Sequence, residues 1–334
     1  MKILYAIQGT GNGHLSRAID IIPCLQKHGE VDILVSGTQG DLQLPFPVKY
    51  KVKGLSFIFG KSGGVDLWKT VTKSHIRKLI KSIRQLPVED YDLVVNDFEP
   101  VSAWACYFKD KPCIALSHQS AVLNKQFPKP DVVDKMGLLI LKNYAPADYK
   151  YGFHFKGNND TIFTPVIRQQ VRNHEITNEG HYTVYLPSYD DKTLISRLSE
   201  YKDIKWDVFS KHNTKAVVKK NITIQPINNT MFTASMASSG GVLCGAGFET
   251  PAEALYLGKK LLVIPMKNQY EQQLNAAALQ AMGVPVIKSL KPKYEPVITN
   301  WLQNGTPITV DYKDVTQQIV NRIVLEHTVV PLFI

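Results

Sequence analysis

Residues 241–255 read Gly-Val-Leu-Cys-Gly-Ala-Gly-Phe-Glu-Thr-Pro-Ala-Glu-Ala-Leu, and this stretch decides the fold. Gly241–Cys244 is short, apolar and bounded by glycine, the pattern of a buried strand. Gly245 and Gly247 then make a tight turn. The helix that follows, Thr250–Leu257, carries Pro251 in its first turn, where a missing N–H costs no hydrogen bond. A helix that starts this way aims backbone N–H groups and its positive dipole end at the space beyond the strand's carboxyl end. The chain repeats the arrangement at once, with strand Lys260–Ile264, Pro265 and helix Tyr270–Met282. Strands alternating with helices imply a parallel sheet covered on both faces.

The same rhythm runs backwards through the chain. Lys2–Gln8 reads as a strand and His14–His28 as a helix; strands Val31–Ser36 and Tyr91–Asn96 follow, then helix Val101–Phe108 and strand Cys113–Ser117. Ile162–Pro165 ends a strand at a proline, and the polar segment Arg168–His181 has little apolar periodicity. The rhythm resumes with strand Tyr182–Leu186, helix Lys192–Tyr201 and strand Trp206–Phe209. The expectation is an α/β protein of two doubly wound Rossmann-like domains, residues 1–165 and 166–312. Residues 313–334 follow as a helix and tail, with Ile319, Ile323 and Leu325 on the apolar side of helix Val315–Glu326.

Composition agrees with two folded domains. Of 334 residues, 44% are hydrophobic and 20% charged, which leaves no room for wholesale disorder. No run reaches the ~18 apolar residues of a spanning helix. Met1–Ile7 is apolar almost at once and runs straight into a glycine turn, whereas a secretory signal needs a basic n-region, a longer apolar run and a small-residue cleavage site, so a cytoplasmic protein is expected. Cys24, Cys106, Cys113 and Cys244 are widely spaced and read as small buried hydrophobes.

The first strand runs into Gln8-Gly9-Thr10-Gly11-Asn12-Gly13-His14. A dinucleotide site wants GxGxxG and an acid at the end of the second strand; here the spacing is GxGxG and that strand ends Val35-Ser36-Gly37. No Gly-Lys-Ser/Thr follows, which excludes a Walker loop. What marks the turn is His14 at its exit, where the helix dipole favours a neutral, base-competent imidazole. At the second turn Thr250 offers a hydroxyl to a phosphate, and Glu253 an acceptor for vicinal ribose hydroxyls. Gln269, Glu271, Gln272, Gln273 and Asn275 cluster after Pro265, which suits a polyhydroxylated ligand.

Gly247 to Ala276, with its Glu-Ala-Leu, its strand ending in Pro and its Gln-x-x-Asn-Ala, resembles the donor-binding signature of GT-B glycosyltransferases. The likeness is to the UDP-glycosyltransferases and the lipid-linked N-acetylglucosaminyltransferase of peptidoglycan synthesis; Gly9-Thr-Gly-Asn-Gly-His14 is similar to their first loop. The resemblance implies two domains facing across a cleft, an acceptor side in 1–165, a donor side in 166–312 and a C-terminal helix packed back on the first domain. It implies donor binding by Gly11, Gly13, Gly245, Gly247, Phe248, Thr250, Glu253, Glu271 and Gln272, with Thr250 near the diphosphate, Glu253 on the ribose and Glu271 and Gln272 on the sugar. His14 would be the general base and Asp97, ending Leu93-Val-Val-Asn-Asp97, its partner. Two positions depart from the plant-type pattern, Gly245 for a histidine and Phe248 for a tryptophan, and one phosphate contact goes with them.

The implied activity is inverting transfer of a sugar from a nucleotide diphosphate sugar, a UDP-sugar above all, to an acceptor hydroxyl. No metal and no other cofactor is expected: there is no Asp-x-Asp, and Asp190-Asp191 and Asp131-x-x-Asp134 read as loop and helix-start acids. His118, after the strand ending at Ser117, is the second histidine expected on the acceptor side. The charge is also placed there. Residues 49–84 hold ten basic residues against Asp66 alone, nine of the chain's ten net positive charges. Val65–Leu86 reads as an amphipathic helix with Lys69, Lys73, Arg77 and Lys81 as a cationic stripe. No nucleic-acid motif accompanies it. A lipid-linked or anionic acceptor, at the inner membrane face, is the expectation, with Lys135–Lys142 as an apolar lip or a buried helix. The alternatives are a nucleotide-sugar epimerase on the same fold and a non-catalytic binder of sugar nucleotides or glycolipids. Which sugar, which acceptor and which oligomeric state are not encoded in these motifs.

Overall fold

The computed structural model describes residues 1–37, 44–53, 76–158 and 160–328. Along them run β1 (Lys2–Gln8), α1 (Asn12–Gln26), β2 (Glu30–Ser36), β3 (Tyr50–Val52), α2 (Ile76–Gln85), β4 (Leu93–Asp97), α3 (Pro100–Phe108), β5 (Ile114–Ser117), α4 (His118–Val122), α5 (Lys135–Asn143), β6 (Tyr149–Phe153) and β7 (Ile162–Phe163). Then come α6 (Gln169–Arg172), β8 (His181–Tyr185), α7 (Asp191–Leu198), β9 (Lys205–Ser210), β10 (Val217–Lys219), β11 (Ile222–Pro226), α8 (Asn229–Ser238), β12 (Gly241–Gly245), α9 (Glu249–Tyr256), β13 (Lys260–Ile264), α10 (Tyr270–Ala281), α11 (Glu295–Asn304) and α12 (Thr316–Thr328). The chain divides into two compact units. One comprises Met1–Phe127, Asp134–Arg168 and Lys313–Ile334; the other comprises Pro128–Val133 and Gln169–Tyr312.

In the first unit the sheet order is β3-β2-β1-β4-β5-β6-β7, parallel throughout. β1 sits beside β4 with Ile7 opposite Asp97, which puts the end of β4 next to the first glycine turn. Leu15, Ala18, Ile21, Ile22 and Leu25 recur at helical spacing and bury α1 against this sheet. α12, from the far end of the chain, packs on α1. Its buried side is Ile319, Val320, Ile323 and Val324; Leu325 does not belong to it and is 66% exposed. A stripe two residues wide follows from 3.6 residues per turn, and Leu325 falls just beyond its edge.

In the second unit the order is β10-β11-β9-β8-β12-β13, parallel except for the β10–β11 hairpin. Its core gathers Tyr182, Val184, Leu198, Trp206, Leu262 and Trp301. Both sheets reverse strand order at their centres, β1/β4 and β8/β12, the place where doubly wound sheets receive ligands at strand carboxyl ends.

Of the basic amphipathic helix only α2 lies within the described residues; Arg77, Lys78, Lys81 and Arg84 are exposed on it, while Lys69 and Lys73 lie outside them. Lys49, from the same basic segment, is turned to Asp32 at 2.5 Å, so its charge is matched within the fold. α5 is not a buried helix: none of its side chains is buried, and Met136 and Leu139 are more than half exposed. Asp134 caps it, accepting from the N–H groups of Met136 and Gly137, and Asp190 caps α7 in the same way. Among the described residues no helix is long and apolar enough to cross a membrane. The cysteines are free, three of them buried.

Candidate active site

The first turn is closed in by its own neighbours. The Gly9 N–H bonds the Ser36 carbonyl at 2.6 Å, and a Cβ on Gly9 would come within 2.8 Å of Val35 Cγ1 and 2.9 Å of the Ser36 oxygen. Gln8, buried at the end of β1, donates to Thr10 Oγ1 and to the Tyr144 hydroxyl and accepts from Ser36 Oγ. These bonds fix the path into α1, whose N-cap Gly11 has extended backbone and no side-chain cap. Gly11 itself meets no atom of the described residues within 4 Å of where a Cβ would stand.

His14, in the first turn of α1, places Nδ1 2.8 Å from Asp97 Oδ1. Its side chain is 16% exposed and that of Asp97 fully buried. The pairing selects the tautomer: a carboxylate oxygen at this distance needs Nδ1 to carry the hydrogen, which leaves the lone pair on Nε2. Arg17, one turn further along α1 and also buried, sets a single guanidinium nitrogen 2.7 and 2.8 Å from the two Asp97 oxygens and 3.2 Å from His14 Nδ1. Burial alone would raise the Asp97 pKa; the Arg17 charge and then His14 outweigh it and hold the carboxyl below its usual range. The Gln119 amide lies 3.5 Å from His14 Nε2.

Phe98 completes this arrangement. It has φ +56°, a left-handed backbone that costs a bulky residue of order 1–3 kcal/mol. A buried clamp holds it there: Asn96 donates to the Glu99 carbonyl and accepts from the Glu99 N–H, and the Glu99 carboxylate caps α3 through the Val101 and Ser102 N–H groups. Burial pushes the Glu99 carboxyl upward. The result is a Phe98 ring parallel to His14, with centroids 6.5 Å apart, and packed on Tyr144 at 4.9 Å. His118 is placed otherwise. It is buried, and its Nδ1 donates to the Phe153 carbonyl at 2.8 Å. Its neighbour His154, against Phe127, has its imidazole held down at about 3 by burial and by His118.

The second turn is open. No atom of the described residues lies within 4 Å of a Cβ built on Gly247, and on Gly245 the neighbours are at ordinary contact distance. α9 starts there with no side-chain cap. Asn275, buried on α10, ties the turn by donating to the Ala246 carbonyl at 3.1 Å. Gln272 accepts from the Met266 N–H at 2.9 Å, a bond that fixes the β13–α10 turn where Asn268 is also left-handed, and leaves its amide donors uncommitted by it. Phe248 and Glu253 are buried at this end of the sheet; Thr250 and Glu271 are half-buried. Among the described residues no group of three His, Cys, Asp or Glu could hold a metal ion.

Arg17, Gln8, Phe98, Tyr144 and Gln119 are absent from the sequence expectation. Arg17 did leave a signal: a cation on the side of α1 that also carries Leu15, Ala18 and Ile21, three residues after His14. The others left none, because the contacts that bring each to the site come from far away in the chain: Tyr144 and Ser36 for Gln8, and His14 for Phe98 and Gln119.

The model of glycosyl transferase family 1 matches residues 1–304. No curated protein sequence matches the chain. Among solved structures, Arabidopsis thaliana UGT89C1 is 13% identical with a TM-score of 0.60, over 98% of this chain and 99% of that one. The glycosyltransferase SnogD from Streptomyces nogalater is 13% identical with a TM-score of 0.54, over 98% and 95%. Acinetobacter baumannii MurG is 15% identical with a TM-score of 0.53, over 96% and 98%. At these identities the likeness is one of fold.

Proposed function

Because the chain belongs to glycosyl transferase family 1 and is a glycosyltransferase, we propose that it moves a sugar, with inversion, from a UDP-sugar to an acceptor hydroxyl. The observation that carries this reading is His14, with Nδ1 on a buried carboxylate and Nε2, 3.5 Å from the Gln119 amide, as the ring atom that bears the lone pair. Nε2 takes the acceptor's proton as its oxygen attacks the anomeric carbon, and Asp97 steadies the imidazolium. The leaving diphosphate is met at the start of α9, where N–H groups and dipole stabilise the charge that builds up. The open space at Gly247 lets backbone approach the phosphates closely. Glu253 accepts from the ribose, and Glu271 and the amide donors of Gln272 hold the sugar. These residues supply the chemistry without a metal ion. In support of the donor class, the Arabidopsis structure is complexed with UDP-L-rhamnose.

The acceptor side carries features suited to a lipid-linked hydroxyl at the inner membrane face. Exposed Arg77, Lys78, Lys81 and Arg84 on α2 lie beside α3, which exposes Tyr107 and Phe108 around Trp104. Cations beside interfacial aromatics suit an anionic lipid surface, at about 1 kcal/mol per basic residue. α5 adds exposed Met136 and Leu139.

The test is incubation with a panel of UDP-sugars, with and without vesicles carrying polyprenyl-phosphate-linked sugars. Free UDP and an acceptor glycosylated with inverted anomeric configuration are expected. Retention of UDP on an isomerised sugar would overturn the reading in favour of an epimerase. Binding without any turnover across the panel would leave a sugar-nucleotide binder.

A further inference from the structure

The buried triad of His14, Asp97 and Arg17 has a charge balance that a His–Asp pair alone lacks. A histidine hydrogen-bonded to a fully buried carboxylate gains a strong partner for its charged form, so it takes up a proton readily and is then spent as a base. Here the carboxylate is already matched. Arg17 reaches both Asp97 oxygens at 2.7 and 2.8 Å, and its guanidinium lies 3.2 Å from His14 Nδ1. With Nδ1–H given to Asp97, that contact joins two donors, so it opposes a positive charge on the ring. Other described groups face the triad. From β1 comes the Tyr5 hydroxyl, buried and without a hydrogen-bond partner among the described residues, which feels both Asp97 and Arg17. From α4 comes the neutral Gln119 amide. On the far side of Phe98 is the Tyr144 hydroxyl, bonded to Gln8.

We propose that Arg17 is a positioning residue that neutralises Asp97, so that the carboxylate orients the His14 ring and fixes its tautomer without capturing a proton on it. The resting enzyme thereby keeps Nε2 unprotonated at neutral pH. During proton transfer the Asp97–Arg17 pair stays ionised, and the proton that leaves the acceptor hydroxyl resides on Nε2. This rests on His14 being the base of the proposed reaction, but the charge balance stands on geometry of its own.

The test is an NMR titration of the His14 imidazole in the intact protein, which needs no turnover. In the wild type, His14 is expected to titrate at or below the ordinary histidine value of ~6.5. Arg17→Met should raise it by about one unit or more, and the acid limb of the turnover-against-pH profile should move up in parallel. Arg17→Lys, which restores the charge, should return it most of the way. Arg17→Met with Asp97→Asn removes both charges and should bring it back to or below the wild-type value. If Arg17→Met fails to fold, the wild-type titration, the lysine variant and the double variant still decide. A wild-type His14 titrating more than about one unit above ~6.5, or a folded Arg17→Met with His14 unmoved, overturns the proposal. The predicted titrations in a protein that turns over no nucleotide sugar would sink the transfer reading and leave this one standing.

Discussion

The two glycine turns occupy equivalent places, each between a central parallel strand and a helix with no side-chain cap. They are built differently. The first is packed at its entry, with Gly9 wedged against Val35 and Ser36 while Gly11 faces open space, and behind it the chain buries an ionised Asp97, a guanidinium and a strained Phe98. The second is left open at Gly247 among the described residues, and it is tied by an uncharged, buried bond from Asn275 to a backbone carbonyl. Rigid buried charge suits a group that must hold a proton at a defined atom. Exposed backbone N–H groups around vacant space suit a multiply charged ligand that must enter and leave. On the proposed function, the turns that look most alike in sequence divide proton chemistry from anion binding.

The largest effect expected from that division is on turnover. His14→Ala should lower the rate by roughly 10²–10⁴-fold while UDP affinity stays within about twofold, measured by UDP release and by calorimetry. A variant that keeps its rate would end the assignment of His14 as base. Next come the glycines, where the two turns should respond oppositely. Gly247→Leu should leave thermal stability unchanged and cost tenfold or more in UDP affinity, since the added side chain fills ligand space. Gly9→Ala should instead destabilise the fold by about 1–3 kcal/mol in denaturant melts, because its Cβ meets backbone and a packed valine. Equal behaviour of the two would erase the contrast.

Acid sensitivity should reside in the first unit. His154 is held neutral, its imidazole down at about 3. The unfolded chain therefore binds a proton there that the folded one refuses, and stability falls as pH drops from ~6.5 towards 3, by up to ~1.4 kcal/mol per unit. Asp97 adds to the loss only lower down: its folded carboxyl is held below its usual range, so its contribution is present above ~4 and disappears as pH falls through the folded value. His154→Gln should flatten the slope above pH 4; an unchanged slope in urea melts would place the acid sensitivity elsewhere. The smallest effect belongs to Asn275→Ala, which loses one buried hydrogen bond and should cost ~1–2 kcal/mol with a modest drop in UDP affinity.

The sheets were readable because their strands are nearly continuous apolar runs ended by Gly or Pro, and His14 and Asp97 were readable because both sit where such strands end. Elements without that signature escaped. α8, Asn-Thr-Met-Phe-Thr-Ala-Ser-Met-Ala-Ser, has no apolar stripe, and β6, Tyr-Lys-Tyr-Gly-Phe, and the β10–β11 hairpin alternate too briefly to stand out. For α5 the sequence left an apolar lip and a buried helix open, because Leu138, Leu139, Ile140 and Leu141 look like core; among the described residues nothing in the first unit covers them fully. Arg17 and Phe98 act through partners reached only by folding, Asp97 eighty residues away for the one and the His14 and Tyr144 rings for the other. No local pattern records such a role.

The division of labour is tested most directly by calorimetric titration of UDP into the wild type, His14→Ala and Gly247→Leu side by side. UDP should bind the first two alike and the third at least tenfold more weakly. Loss of UDP binding in His14→Ala, with Gly247→Leu binding as the wild type does, would contradict it.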